Sequence, residues 1–325
     1  MTPPASLVTV ADIEAAARRI APFVWHTPIV RSRWLSAVTR ADVWLKLEIV
    51  QTTGSFKLRG ATNALAVQSE RHHGLTQIVT ASAGNHGLAV AWAGRELGLS
   101  VRAYVPRSAP AVKRDAMRAL GATVIETADY DQAEIDAHAD AARTGGCYVS
   151  PYNDAEVIAG AGTVALEMVA DCPALDTIVV PLGGGGLLTG TGIVARSTMR
   201  LPWVIGAEAE ASPVFTTSLA AGRIVTVDVK PTLADGLAGN LDPGSRTFDF
   251  VADLADRLLL VAEGSIELAM RELVRRERLV AEGASATAVG GLLQGGVDLS
   301  GRTVGVILSG RNVDADVLAR VLSGR

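Results

Sequence analysis

Gln77-Ile78-Val79-Thr80-Ala81-Ser82 runs into Ala83-Gly84-Asn85-His86-Gly87, and the fold turns on that change of pattern. The first part is short and β-rich. From His86 to Leu97 apolar residues return at helical spacing, and Gly98 closes the run. Val101–Val105 reads as the next strand, closed by Pro106, and Ala111–Leu120 as a helix ending at Gly121, where a left-handed cap favours glycine. Thr123–Glu126, Asp129–Arg143 and Cys147–Ser150 continue the series as strand, helix and strand. Parallel neighbours need a crossover, usually helical, so this alternation predicts an open parallel α/β sheet.

The alternation resumes with helix Val157–Ala170, strand Thr177–Pro181, helix Leu187–Met199 and strand Trp203–Glu208. Strand Arg257–Val261, helices Ser265–Glu277 and Ala284–Gln294, strand Thr303–Leu308 and helix Asp314–Leu322 follow. Two α/β lobes are expected: a small one over 71–149 and a large one from 1–70 and 150–325, with a ligand cleft between them. At 325 residues, 49% of them apolar, the chain can bury cores of that size.

The formal net charge is −4 and no long basic run occurs, so nucleic acid is not an expected partner. The uncharged run Thr177–Ala195 contains Pro181 and six glycines, which a lipid-exposed helix would not tolerate, so no membrane span is expected. Cys147 and Cys172 fit neither a disulfide framework nor a zinc motif, and the five histidines are scattered. Reduced cysteines and the lack of a signal-peptide pattern in Met1–Pro28 suit a cytoplasmic enzyme.

Three segments carry chemistry. Gly183-Gly184-Gly185-Gly186-Leu187 follows an apolar strand and enters a helix, where backbone N–H groups close on an oxyanion; a tight, closely packed turn is the alternative. Leu187-Leu188-Thr189 replaces the Gly-Lys-Ser/Thr of a nucleoside-triphosphate loop, and the glycines fit no register of a dinucleotide fingerprint. A phosphate on a small cofactor remains. Ser82-Ala83-Gly84-Asn85-His86-Gly87 stands at a strand's C-terminal end, as an anion nest of carboxylate size or an ordinary helix cap. Lys57 lies between Gly54 and Gly60, just before the helix-prone run Leu58–Gln68, and becomes a nucleophile only inside a pocket.

Ser55-Phe56-Lys57-Leu58-Arg59-Gly60, the Ser82–Gly87 segment, the Gly183–Leu187 loop and Ser309-Gly310 stand in the order and spacing of fold-type-II pyridoxal 5′-phosphate (PLP) enzymes. Val157-Ile158-Ala159-Gly160-x-Gly162-Thr163 and Glu282-Gly283-Ala284-Ser285 strengthen the resemblance, which spans about His26 to Asn312. The chain most resembles the threonine/serine dehydratase and serine racemase group. The resemblance implies a two-lobed, tryptophan synthase β-like fold of open twisted parallel sheets flanked by helices, and a homodimer. It implies that Lys57 holds PLP as a Schiff base and removes the Cα proton of an amino-acid substrate. Gly183, Gly184, Gly185, Gly186 and Leu187 would hold the phosphate, with Gly236 as a nearby backbone contact. Phe56 would pack beside the ring, Asn85 would bond its hydroxyl, and Ser309 would face its nitrogen. Ser82, Asn85 and His86 would take the substrate carboxylate.

A serine hydroxyl stabilises a protonated pyridine less than a carboxylate would, which suits expulsion of a β-hydroxyl. The implied reaction turns L-threonine or L-serine into a 2-keto acid and ammonia; Lys57 or the cofactor phosphate would protonate the leaving hydroxide. Racemases of the group carry a serine where Ala83 stands, and alanine accepts no proton. Glu208 matches the first carboxylate of the group's divalent-cation site, but Val214 falls where the second would be, and Arg311 replaces a usual glycine. With only a short stretch from Asn312 to Arg325, the C-terminal regulatory domain of biosynthetic threonine dehydratases is not expected. The alternatives are a dehydratase of another β-hydroxy amino acid of the hydroxyaspartate or phenylserine type, a serine racemase, and a silent PLP- or amino-acid-binding protein.

Overall fold

Residues 8–72, 74–109 and 111–324 are described by the computed structural model. A reciprocal capping box between Thr9 and Asp12 starts α1 (Val10–Ile20). Next come β1 (Ile29–Arg31), α2 (Arg33–Thr39), β2 (Asp42–Leu47), α3 (Lys57–Arg71), β3 (Gln77–Ala81) and α4 (Asn85–Leu97). The series continues with β4 (Ser100–Pro106), α5 (Ala111–Ala119), β5 (Thr123–Thr127), α6 (Tyr130–Thr144), β6 (Cys147–Tyr148) and α7 (Ala155–Asp171). β7 (Thr177–Pro181), α8 (Gly186–Ser197), β8 (Trp203–Ala209), α9 (Val214–Ala221), α10 (Thr247–Leu254) and β9 (Arg257–Val261) follow. The chain closes with α11 (Glu263–Glu272), α12 (Gly283–Gln294), β10 (Thr303–Leu308) and α13 (Ala315–Ser323).

The chain divides into two units. One joins the residues up to Trp25 to Lys57–Ala161, and the other joins His26–Phe56 to the residues from Gly162 on. The smaller unit's sheet has the order β5-β4-β3-β6, parallel throughout. Successive β3 side chains point to opposite faces. Ile78 joins a core with Leu58, Leu65, Val90 and Met117, whereas Val79 and Ala81 pack with Tyr104, Ala133 and Ala137. All four strands fall within 71–149, and α1, α3 and the first half of α7 go with them. The expected boundary at residue 70 differs from this division because α3 buries Leu58, Ala61 and Leu65 in the same core as β3 and α4.

The larger unit's sheet has the order β1-β2-β10-β7-β8-β9, parallel except for β1, an antiparallel edge strand. β7 is buried along its whole length, which accounts for its uninterrupted apolar sequence. β1 and β2 were not expected as strands. β2 carries Lys46, fully buried, whose Nζ donates to Glu167 at 2.6 Å and to the Thr27 carbonyl at 2.7 Å. The helix expected over Ser265–Glu277 is α-helical only to Glu272; Leu273–Glu277 widens into a π turn, ended by Arg278 at φ 61°.

Candidate active site

The singled-out residues fall into two groups, one in each unit. In the smaller unit Lys57 is half-buried at the first position of α3, and its Nζ donates to the Pro151 carbonyl at 2.7 Å. Pro151 belongs to a turn in which the Ser150 N–H donates to the Asp154 carboxylate at 2.7 Å and the Asn153 N–H to the Ser150 hydroxyl at 3.1 Å. A close helix crossing brings this turn to Lys57. A Cβ on Gly160 would stand 2.5 Å from the Arg59 carbonyl oxygen and 2.7 Å from Gly60 Cα, and one on Gly60 would stand 2.8 Å from the Val157 oxygen. Only glycines let α3 and α7 meet so closely.

At the end of β3, Gly84 caps α4 and Asn85, His86 and Gly87 form its first turn. The first intrahelical bond runs from Leu88 N to Gly84 O at 3.2 Å, so the N–H groups before it face outward as donors to an anion. Ser82 is buried, and its hydroxyl accepts from Gly84 N at 3.3 Å.

His86 is also buried, and its Nε2 lies 3.2 Å from the Val149 carbonyl, which accepts from Thr80 as well. A carbonyl only accepts, so Nε2 carries the hydrogen and Nδ1 is an acceptor; among the described residues Nδ1 has no hydrogen-bond partner. Burial, and then the charge of Lys57, push the imidazolium pKa down to about 3. A neutral ring acceptor repels a carboxylate, so any share of His86 in the nest falls to its backbone N–H. Unfolded, the ring takes a proton near pH 6.5; folded, only near 3. The folded state therefore binds fewer protons: stability is full above pH 6.5 and falls as the pH drops toward 3, by up to about 1.4 kcal/mol per unit. Chemical denaturation of the apoprotein should show this fall, and His86→Gln should flatten it. An unchanged slope in that variant would contradict the neutral ring.

In the larger unit the four glycines join β7 to α8. Gly185 caps α8 at φ 85°, and a Cβ there would lie 2.8 Å from both Phe215 Cζ and Thr247 Cβ. A Cβ on Gly183 would lie 3.1 Å from Leu237 Cα and 3.4 Å from the Gly236 oxygen, so Gly236 lies against the loop. The first intrahelical bond is Thr189 N to Gly185 O at 2.8 Å, leaving the N–H groups of Gly186 and Leu187 ahead of it. A cradle of backbone donors, crowded against side chains at Gly183 and Gly185, fits a phosphate monoester such as that of PLP.

Ser309 is buried at the end of β10. Its carbonyl accepts from Phe56 N at 2.9 Å, and Arg311 N donates to Gly54 O at 2.9 Å, flanking an antiparallel bridge between Ser55 and Gly310. Asn312 adds a bond to the Thr53 carbonyl at 2.9 Å and leaves no space for a Cβ on Gly54. The segment that delivers Phe56 is thus docked on the segment that delivers Ser309. Arg311 itself is exposed.

Glu208, the expected cation ligand, is held by the start of α9. Its buried carboxylate accepts from Phe215 N at 2.6 Å and Thr216 N at 3.0 Å, anchoring the first turn of α9 and hence the Phe215 ring behind Gly185. Burial raises its pKa, against those two bonds. Among the described residues no group of three or more His, Cys, Asp or Glu is placed to hold a metal ion, and no helix is long and apolar enough to cross a membrane.

Pro151 and Thr247 were missed in the sequence. Ser150-Pro151-Tyr152-Asn153-Asp154 is rich in turn formers and would have marked the first; Thr247 has no local signal.

The family model described as pyridoxal-phosphate dependent enzyme matches residues 20–310. An L-threonine ammonia-lyase of Thermotoga maritima is 39% identical over 320 residues, covering 98% of this chain and 79% of that one. A catabolic L-threonine dehydratase of Staphylococcus aureus is 36% identical over 323 residues, covering 98% and 93%. The structure of maize serine racemase superposes with a TM-score of 0.91 at 31% identity, covering 98% of both chains. With the glycine cradle and the helix-borne Lys57 already placed, these matches show that the chain belongs to the pyridoxal-phosphate-dependent enzymes and has their type II fold.

Proposed function

We propose that the protein is an ammonia-lyase for L-threonine and L-serine, releasing a 2-keto acid and ammonia, and that it works as a cytoplasmic homodimer. The observation that carries the reading is the pairing of Lys57 with a single-sided site: its amine is held at 2.7 Å by the Pro151 carbonyl, while Ala83, in the nest segment, offers no second base. PLP, once bound through Lys57, supplies an electron sink for the pair left when the Cα–H bond breaks.

The N–H groups at the start of α4, with Ser82 and Asn85, orient the substrate carboxylate. Lys57 Nζ takes the Cα proton, and the Pro151 carbonyl accepts a hydrogen bond from the resulting ammonium. His86, neutral, does not compete for that proton. With the cofactor bound, Phe56 would pack against its ring, the Ser309 hydroxyl would hold its nitrogen, and Gly183–Leu187 with Gly236 would hold its phosphate. Glu208 already accepts two backbone bonds, so the reading calls on no divalent cation there.

The test is an assay of the holoenzyme with L-threonine, L-serine, 3-hydroxyaspartate and phenylserine, following keto acid, ammonia and D-serine. Keto acid and ammonia in equal amounts from L-threonine or L-serine are expected, with D-serine below a tenth of the product and no effect of EDTA. The likeness to maize serine racemase favours racemisation as the second reading. D-serine forming as fast as pyruvate would establish it, and turnover confined to hydroxyaspartate or phenylserine would move the substrate class.

A further inference from the structure

We infer that Thr247 is a positioning residue that aims the glycine loop at the cofactor's phosphate, acting through the Gly184 carbonyl. The inference rests on the assignment of that phosphate to Gly183–Leu187. Thr247 is fully buried, and its hydroxyl donates to Gly184 O at 2.7 Å. Ser245, also buried, has its hydroxyl 2.8 Å from that of Thr247. The Thr247 hydroxyl has one hydrogen, and Gly184 takes it, so Ser245 is the donor to Thr247. The result is a one-way chain, Ser245 to Thr247 to Gly184.

The consequence follows from peptide geometry. In a planar trans peptide the carbonyl and the next N–H point in opposite directions. Holding Gly184 C=O against Thr247 turns Gly185 N–H to the other face of the loop. Gly185, at φ 85°, leads directly into Gly186 and Leu187, whose N–H groups precede the first intrahelical bond. Successive N–H groups around a left-handed residue make a concave anion nest. Behind Gly185, Thr247 Cβ and Phe215 Cζ fill the space, each 2.8 Å from where a Cβ would lie, so an anion has only the opposite face open to it. Thr247 thus sets the direction of the donors without touching the phosphate. Without its hydroxyl the Gly184 carbonyl loses this partner and the peptide is free to rotate.

The test titrates apoenzyme with PLP and with pyridoxal, which has the same ring and aldehyde but no phosphate. Thr247→Val should weaken PLP about tenfold while pyridoxal stays within about twofold, and Thr247→Ser should restore PLP binding. The apoprotein should lose some stability, because Gly184 O and the Ser245 hydroxyl lose their bond to Thr247, and unchanged pyridoxal binding separates aiming from folding. Should Thr247→Val fail to fold, Ser245→Ala, which removes only the donor behind Thr247, is read the same way. Equal weakening of PLP and pyridoxal, or no weakening, would overturn the inference. Gly185→Ala keeps the two levels apart. If it lowers PLP affinity selectively while Thr247→Val does not, the phosphate site stands and the role of Thr247 falls. If neither variant changes the ratio of PLP to pyridoxal affinity, the phosphate assignment itself is wrong.

Discussion

Lys57→Ala should cut ammonia release from L-threonine by a factor on the order of 10⁴ or more and abolish covalent retention of the cofactor. The chain has only four lysines, Lys46, Lys57, Lys113 and Lys230. Lys46 is fully buried against Glu167 and the Thr27 carbonyl, and Lys230 is exposed. Lys57 combines partial burial, a carbonyl at 2.7 Å that holds its amine, and a place in the same unit as the anion nest at α4. Lys57→Arg should fail equally, because a guanidinium stays protonated and can neither condense with an aldehyde nor take a proton. The fold should survive both changes, since Lys57 is the first residue of α3, and removing a positive charge from a helix N-terminus costs no dipole energy. Borohydride reduction followed by peptide mass analysis should place the label on Lys57. A tenth of wild-type activity surviving in Lys57→Ala would remove it from the chemistry.

The parts of this molecule legible in the sequence are those whose signal is local. β3 and α4 were readable because strand, turn and helix succeed one another within Gln77–Leu97, and the glycine loop because four glycines leave a buried strand. β2 was not, because Lys46 breaks its apolar run. The carboxylate that makes its burial tolerable, Glu167, lies 121 residues away. The partners of the site residues are equally remote. Pro151 is 94 residues from Lys57, and Thr247 is 63 from Gly184. The fate of α1 and α3 was illegible for a related reason. Which core an amphipathic helix joins depends on the face it meets, and periodicity records only that a face exists. The backbone N–H groups that Glu208 holds were not legible either, because they belong to α9, a helix of eight residues too short to announce itself.

Gly160→Val should damage both the fold and the placing of Lys57. It should lower stability by about 3 kcal/mol and reduce the catalytic rate of whatever fraction folds. The obstacles to a side chain at this position are all backbone: Arg59 O at 2.5 Å, Gly60 Cα at 2.7 Å and Arg59 C at 2.8 Å from the Cβ. No rotamer change relieves contacts with backbone, so α3 and α7 must move apart. That movement reaches Lys57, which begins α3 one turn before Gly60, while Pro151 stands just ahead of α7. Separation by about 1 Å would stretch the bond between Lys57 Nζ and Pro151 O from 2.7 Å past the useful limit for a hydrogen bond. The amine would then lose the partner that orients it, and kcat should fall even at saturating substrate. Gly264→Ala is the control. Nothing lies within 4 Å of a Cβ there, so its stability should stay within about 0.5 kcal/mol of wild type. Urea denaturation of both variants, read beside steady-state kinetics, separates the effects. A Gly160→Val chain with wild-type stability and rate would mean that α3 and α7 do not cross on these glycines, and the fixing of Lys57 by Pro151 would lose its structural cause.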